Sequence, residues 1–456
     1  MDRKVLEALE LLRQEQDVID HETVKKSSIT KTLENKADIE ETEDQIEELC
    51  EEEVLSERNG RYKVHRIDEH RKSVYGDLSN IYEKYREFYH IGDTKKIDLM
   101  LSTALSVGEP DKNIWILFVG ASGVGKSLLT DPLRYVSRED MELAHMVSDM
   151  TTNTIVSGMA SEGSSLAPKL DEKILYIPDF STIVEKRSED QREIFAQFRN
   201  LYDGFAKKNT GSYAEDKKFD VDVTLIGNVT PAIHTKNLIH QSMGTRFLYY
   251  EINDFAKKDV FESIWSDNEG MSGEEISKEI AERIQEFLDH RRTPKTPEVP
   301  KEVKEEIEYV AEWMAKMRAT GRFDRSNNEL RGSIHPEKPT RILKQFKKIY
   351  YNLKKLSNNY SDERALEIIQ KIGASCVNPD KRRIYIEIDQ AEMGLELVDI
   401  VDRVGISRNT AKRRLLEMRN VGILKSAFEF TESGQLDMGS WEVAEEFEGM
   451  SKDFVN

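Results

Sequence analysis

Six apolar residues, Ile114–Val119 (IWILFV), run straight into Gly120-Ala-Ser-Gly123-Val-Gly125-Lys126-Ser127, and a helix-compatible segment, SLLTDPL, follows. This is G-x-x-x-x-G-K-[ST] between a strand and a helix, the setting its chemistry requires. Glycines let the backbone wrap a polyphosphate with its N–H groups turned inward, and a helix N-terminus adds a favourable field. The expected contacts are Gly120, Gly123, Gly125, Lys126, Ser127 and Leu128. Lys126 would neutralise charge on the β- and γ-phosphates, and the Ser127 hydroxyl would be a ligand of Mg²⁺. The cofactors read from the motif are therefore ATP and Mg²⁺.

Such a loop needs a carboxylate at the end of a neighbouring strand to hold the metal ion or its waters. KILYIPDF offers Asp179, after four apolar residues and Pro178. A polar residue after the next strand would position the attacking water. Asn228 in VTLIGNVTP fits, although Asn before a turn is also ordinary turn chemistry. Downstream, Arg246 in SMGTRFL stands just before another apolar run, and Arg341 in EKPTRILKQF opens a helix. Arginine suits transferring phosphate charge, from the same or a neighbouring subunit. A surface salt bridge for Arg246 and a solvated helix position for Arg341 are the plainer readings.

Around this core, strand-like runs at Ile174–Ile177 and Val223–Gly227 alternate with helical ones such as Gln191–Tyr202, the α/β signature of a parallel sheet. The proline-rich RRTPKTPEVPKE (Arg291–Glu302) separates it from helices at Val303–Arg318 and Thr340–Leu356. The expected organisation is an N-terminal module over 1–72, an ATPase core over 73–290, a helical lid over 291–376 and a C-terminal module over 377–456.

Net charge is −19, which argues against wholesale coating of nucleic acid, but the charge is uneven. Asp38–Glu53 carries ten acids and no base, whereas Ser407–Lys425 carries six bases against one acid, Glu417. With Cys50 and Cys376 alone, neither a disulfide framework nor a cysteine-built zinc site is expected. No stretch approaches a membrane span and the start is no secretory signal, so the expected location is the cytoplasm, without a membrane.

Both ends read as winged helices. Near the N-terminus, three helices precede VLSERNGRYKV, a hairpin around Asn59-Gly60. Its acidic third helix, facing inward with Ile46 and Leu49, would repel phosphates, which suggests a protein partner. Near the C-terminus, Leu397–Arg419 has the form of a helix-turn-helix: Leu397, Ile400 and Val401 inward, Gly405 in the turn, and Ser407 capping a basic second helix. Ser407, Arg408, Asn409, Thr410 and Arg413 would meet DNA bases, and Lys412 and Arg414 phosphates. SAFEFTESGQLDM would form the wing around Gly434.

These pieces in this order resemble an AAA+ ATPase: an α/β P-loop core, a helical lid, and winged-helix domains at both ends. Within that class SSLAPKLDEKILYIPDF, REIFAQFRNLYDGFAKKNTG, VTLIGNVTP, GTRFLYY and KPTRILKQF are similar to minichromosome-maintenance helicases and their relatives on archaeal and phage mobile elements, over Ile114–Leu356. The resemblance implies a homo-oligomeric ring such as a hexamer, with Arg246 on a neighbour's γ-phosphate and Arg341 as the lid's sensor. It also implies Lys207 or Lys208 on a pore hairpin that grips DNA; the alternative is an exposed loop pair. Two features depart from those helicases: Pro178-Asp179 replaces an Asp-Glu pair, and a zinc-bearing N-terminal region is missing. The expected function is a DNA-associated ATPase, a helicase or replication initiator; an ATP-gated transcription regulator and a nucleotide-dependent loader or scaffold are the alternatives.

Overall fold

The structure is a computed structural model. It describes residues 76–449 except 90, 110–113, 139–140, 152–153, 156–165, 209–216, 236–242, 254–270, 291–297, 325–328 and 431–435; before residue 76 it describes 5, 8–9, 24–25, 29–33, 45–46, 49–50, 54–58 and 61–64. The chain divides into two compact units, residues 1–90 with 267–294, and residues 91–266 with 295–456.

In the first unit Val5, Ala8, Leu9, Ile29, Leu33, Ile46, Leu49, Val54, Leu55 and Tyr62 form one buried cluster. Ile46 and Leu49 face inward, as their spacing requires. Leu55–Arg58 and Arg61–Val64 pair antiparallel across Asn59-Gly60, which lie outside the described residues. A third short strand, Val24–Lys25, joins their sheet; two residues are too few for a period to show in sequence. Helices Leu78–Phe88 and Gly273–His290 belong to the same unit, linked by Lys84 and Glu279 at 2.5 Å.

The second unit is built on five parallel strands: β1 (Trp115–Val119), β2 (Ala144–Met146), β3 (Lys173–Ile177), then β6 (Val223–Val229) and β7 (Leu248–Glu251), with an antiparallel hairpin β4 (Phe205–Lys208) and β5 (Lys217–Asp220) between β3 and β6. The order across the sheet is β7-β1-β6-β3-β2. β1, β6 and β7 are buried at every residue, so both faces need a cover. Helices α1 (Lys95–Ala104), α2 (Lys126–Thr130), α3 (Ser181–Val184) and α4 (Ser188–Tyr202) belong to this layer. Pairing is in register, Leu225 with Trp115 through Val229 with Val119, and Leu248 with Ile116. All five strands therefore end along one edge of the sheet and begin along the other.

A helical region follows: α5 (Lys301–Arg318), α6 (Thr340–Lys354), α7 (Asp362–Ser375), α8 (Pro379–Asp389), α9 (Leu397–Val404) and α10 (Arg408–Asn420), then the hairpin β8 (Leu424–Phe430) and β9 (Leu436–Val443). The end of α7 covers the open edge of β7: Tyr249 N–H donates to Cys376 Sγ (3.1 Å) and Glu251 N–H to Ser375 Oγ (3.0 Å). That disposes of the unpaired donors an edge strand would otherwise present. Gly405, at φ 70°, ends α9, and Ser407 Oγ accepts from Thr410 N–H to cap α10. Ile400 and Val404 are the buried residues of α9, with Leu397 and Val401 half-buried. Among the described residues no helix is long and apolar enough to cross a membrane.

One face of the sheet is locked by aromatics. Phe198 on α4 lies 5.7 Å from Trp115, 5.9 Å from Phe180, 6.2 Å from Phe195 and 5.8 Å from Phe247, ring centre to ring centre. It is fully buried, so Phe198→Ala should destabilise this unit by about 3–5 kcal/mol. Urea unfolding checks this: a clear fall in the unit's midpoint is expected, and an unchanged midpoint would contradict the packing.

Candidate nucleotide-binding site

The glycine loop leaves the end of β1 and is anchored there by Gly120 N–H, which donates to Val229 O (3.1 Å). A Cβ on Gly120 would sit 2.7 Å from Val124 Cγ2 and 3.2 Å from Ile252 O, so no other residue fits without displacing its neighbours. Gly123 and Gly125 have φ of 84° and 83°, a conformation that costs an L-residue roughly 1–2 kcal/mol. With those turns made, none of the backbone N–H groups from Ala121 to Leu128 finds a protein acceptor among the described residues. Such a run of unpaired donors on a concave loop is an anion cradle.

Lys126 Nζ folds over the loop and donates to Gly120 O (2.6 Å) and Ala121 O (2.7 Å). Burial lowers its pKa, while the Asp179 carboxylate pulls the other way, which places Asp179 within electrostatic reach of the lysine. Asp179 Oδ1 accepts from Ser181 N–H (2.9 Å); its Oδ2 and the exposed Ser127 hydroxyl have no protein partner among the described residues. Leu128 is 38% exposed beside them. The helix after the loop is short: five α residues, then a 3-10 turn over Asp131–Tyr135 containing Pro132. The field expected from a long helix is reduced accordingly, and the loop's own N–H groups carry the attraction.

A buried polar chain fastens this helix to the sheet. Asn228 Nδ2 donates to Thr130 Oγ1 (2.8 Å), Thr130 Oγ1 lies 3.0 Å from Tyr176 Oη, and Tyr176 donates to Asp131. Burial and the neighbouring Asp131 push the Tyr176 phenol well above its ordinary pKa, so it stays a donor. Asn228 is 1% exposed and its Oδ1 has no partner. Its amide is thus a clasp between β6 and α2, with one acceptor left over.

The two arginines lie elsewhere. Arg246 is level with the start of β1, about six residues or roughly 20 Å from Gly120 along the sheet. Its Nη2 donates to both Asp203 oxygens (3.1 and 3.0 Å), and its guanidinium lies 5.5 Å from the Tyr202 ring centre. Arg341, on the first turn of α6, is exposed and lines the same cleft of about 760 Å³ as Tyr202, Asp203, Asp220 and Lys344. Burial raises the Tyr202 phenol to about 12, although Arg341 and Arg246 pull it down. The sequence-predicted residues therefore form two groups at opposite edges: Lys126, Ser127, Asp179 and Asn228 at one, Arg246 and Arg341 at the other.

Two sets of basic residues lie elsewhere in this unit. Lys207 and Lys208 lie on β4 of a hairpin rather than in a loop, and the register sets Lys207 opposite Lys218 and Lys208 opposite Lys217. Lys217 and Lys218 escaped the sequence reading because AEDKKFD gives no clue to its pairing partner. On α10, Arg408, Asn409, Lys412 and Arg413 are exposed, with Arg413 5.5 Å from the Phe323 ring centre. Ser407 and Thr410 are bonded to each other at 2.9 Å. Arg414, expected at phosphates, instead turns to buried Glu417 (3.1 Å).

No protein-family model matches this chain, and no curated protein matches its sequence. Among the described residues no cluster of His, Cys, Asp and Glu could by itself hold a metal ion. A cation at Ser127 and Asp179 would need phosphate oxygens to complete its shell.

Glu251 closes the loop-bearing end of β7. It lies 3.0 Å from His234 Nε2 and 2.6 Å from Arg382 Nη2 of α8. Burial alone would raise its pKa, but His234 and Arg382 outweigh it and hold the carboxyl near 2, against an ordinary 4.5. A depressed carboxyl contributes stability above its unfolded pKa and loses it as pH falls toward the folded value. From this group the loss is about 3 kcal/mol between pH 5 and 2. Glu251→Gln should remove that part of the acid dependence, read from denaturation midpoints across this range; parallel profiles for both proteins would refute the assignment.

Proposed function

We propose that this chain binds ATP with Mg²⁺ in the Gly120–Ser127 loop and hydrolyses it as a DNA-associated ring ATPase of the AAA+ type. The observation that carries the reading is the run of unpaired N–H groups closing around Lys126. Lys126 would leave the two loop carbonyls for phosphate oxygens. Ser127 Oγ and Asp179 Oδ2, both without protein partners, fit an oxygen-seeking cation, which would neutralise phosphate charge when bound. Asn228 keeps an unused acceptor beside α2 for a water.

The separation of the arginines supports assembly. Arg246 lies roughly 20 Å of strand from its own loop, and Asp203, which holds it, lines one cleft with Arg341. A second copy that set its loop against this cleft would bring phosphate to the arginines, completing the site between subunits. DNA is the partner that suits four lysines in two opposed pairs on β4 and β5, and the basic exposed face of α10. The helices and hairpin from Pro379 onward are consistent with a winged helix, and the first unit with another, suited to a protein partner.

ATP turnover with and without single- and double-stranded DNA tests the reading. We expect DNA to stimulate turnover, and Lys126→Ala to lower it by about 100-fold or more. Tight ATP binding with negligible turnover would favour the ATP-gated regulator, and no nucleotide binding would overturn the proposal.

A further inference from the structure

Arg246 is not idle in the chain; it is held by Asp203, and Asp203 is the root of the lysine hairpin. Asp203 follows the last residue of α4, with its N–H on Arg199 O (2.9 Å). Gly204 comes next at φ 87°, a left-handed turn, with its N–H on Leu201 O (3.1 Å). β4 then begins at Phe205, and β5 returns to close the base through Val221 N–H on Gly204 O (3.0 Å). Any displacement of Asp203 is therefore delivered to the strands carrying Lys207, Lys208, Lys217 and Lys218.

The grip of Arg246 on Asp203 is incomplete. Both bonds come from one nitrogen, Nη2, rather than from the two-pronged edge that guanidinium offers a carboxylate or phosphate. Nη1 makes only a long bond to Met243 O (3.4 Å), and the buried Nε has no partner. The Asp203 side chain is 46% exposed, open to the cleft that Arg341 and Lys344 also line. A half-exposed ion pair is weak, and a dianionic phosphate entering that cleft would compete for the arginine on favourable terms.

We propose that Asp203 is the resting partner of Arg246, and that Arg246 exchanges this carboxylate for the terminal phosphate of a nucleotide held by a second copy of the chain, releasing the hairpin root. Asp203 is thus a positioning residue that couples nucleotide capture to the lysines. This rests on the reading of Arg246 as acting on a neighbour's nucleotide. Coupling works in both directions: DNA that draws the hairpin away from its resting place frees the arginine and speeds turnover.

The test compares wild type, Asp203→Asn and Arg246→Ala for ATP turnover with and without DNA, each checked by thermal melting. Asp203→Asn removes the competing charge, so DNA-free turnover should rise about five-fold and stimulation by DNA should shrink by a similar factor. Unchanged stimulation, or proportional loss of both rates with a lower melting temperature, would make Asp203 merely structural. If Arg246→Ala turns over at the wild-type rate, the reading beneath the proposal falls and the proposal with it; if it is inactive while Asp203→Asn keeps wild-type stimulation, the proposal alone falls. Hydrogen exchange on the wild-type protein supplies a measurement independent of any variant. The amides of Gly204 and Val221 should exchange faster when a non-hydrolysable ATP analogue is added, and unchanged exchange would overturn the proposal.

Discussion

Everything in the second unit depends on five parallel strands paired in register, of which β1, β6 and β7 are buried at every residue. Parallel pairing sends every strand end to one edge and every strand start to the other. The glycine loop and Asp179 follow strand ends and Asn228 is the penultimate residue of β6; Asp203, the hairpin and Arg246 precede strand starts. The sheet therefore holds two chemically complementary edges apart, an anion cradle on one and arginines on the other. The proposed ring rests on that separation: a site completed by these arginines would need another molecule's opposite edge.

Rigid support on the loop side comes from polar contacts buried in an apolar setting. The chain from Asn228 through Thr130 and Tyr176 to Asp131 ties a five-residue helix to β6 and β3. So short a helix would be marginal alone, and the clasp fixes where Lys126 and Ser127 start. On the other side of β1, Glu251 joins β7 to α8 through Arg382, while Lys381 of the same helix contacts buried Glu417 of α10 at 3.1 Å. Adjacent residues of α8 thus connect the loop-bearing edge of the sheet to the basic helix. Burial holds the Lys381 pKa below its ordinary value, against the pull of Glu417.

Much of this was legible before the structure. The apolar run Ile114–Val119 and the glycine spacing made the loop readable, because a buried strand and a φ-positive turn leave strong local signals. The α/β alternation led to the parallel sheet, and Gly405 with Ser407 to the boundary between α9 and α10. Non-local facts were not legible. Ala144–Met146 is too short to show a period, and Lys217–Lys218 acquire meaning only through their register with Lys207–Lys208. Arg414 read as one more base in a basic helix, and only the fold turns it toward Glu417. Arg246 was visible as an arginine before a strand, but its partner Asp203 lies 43 positions away.

If one chain's loop and another's arginines make one site, mixing two inactive variants should restore it. Lys126→Ala keeps the arginine edge and Arg246→Ala keeps the loop edge, so a mixed assembly contains junctions where an intact loop meets an intact arginine. Turnover, negligible in either variant alone, should return on mixing to a substantial fraction of the wild-type rate. If mixed oligomers form and no activity returns, the two edges do not share a site.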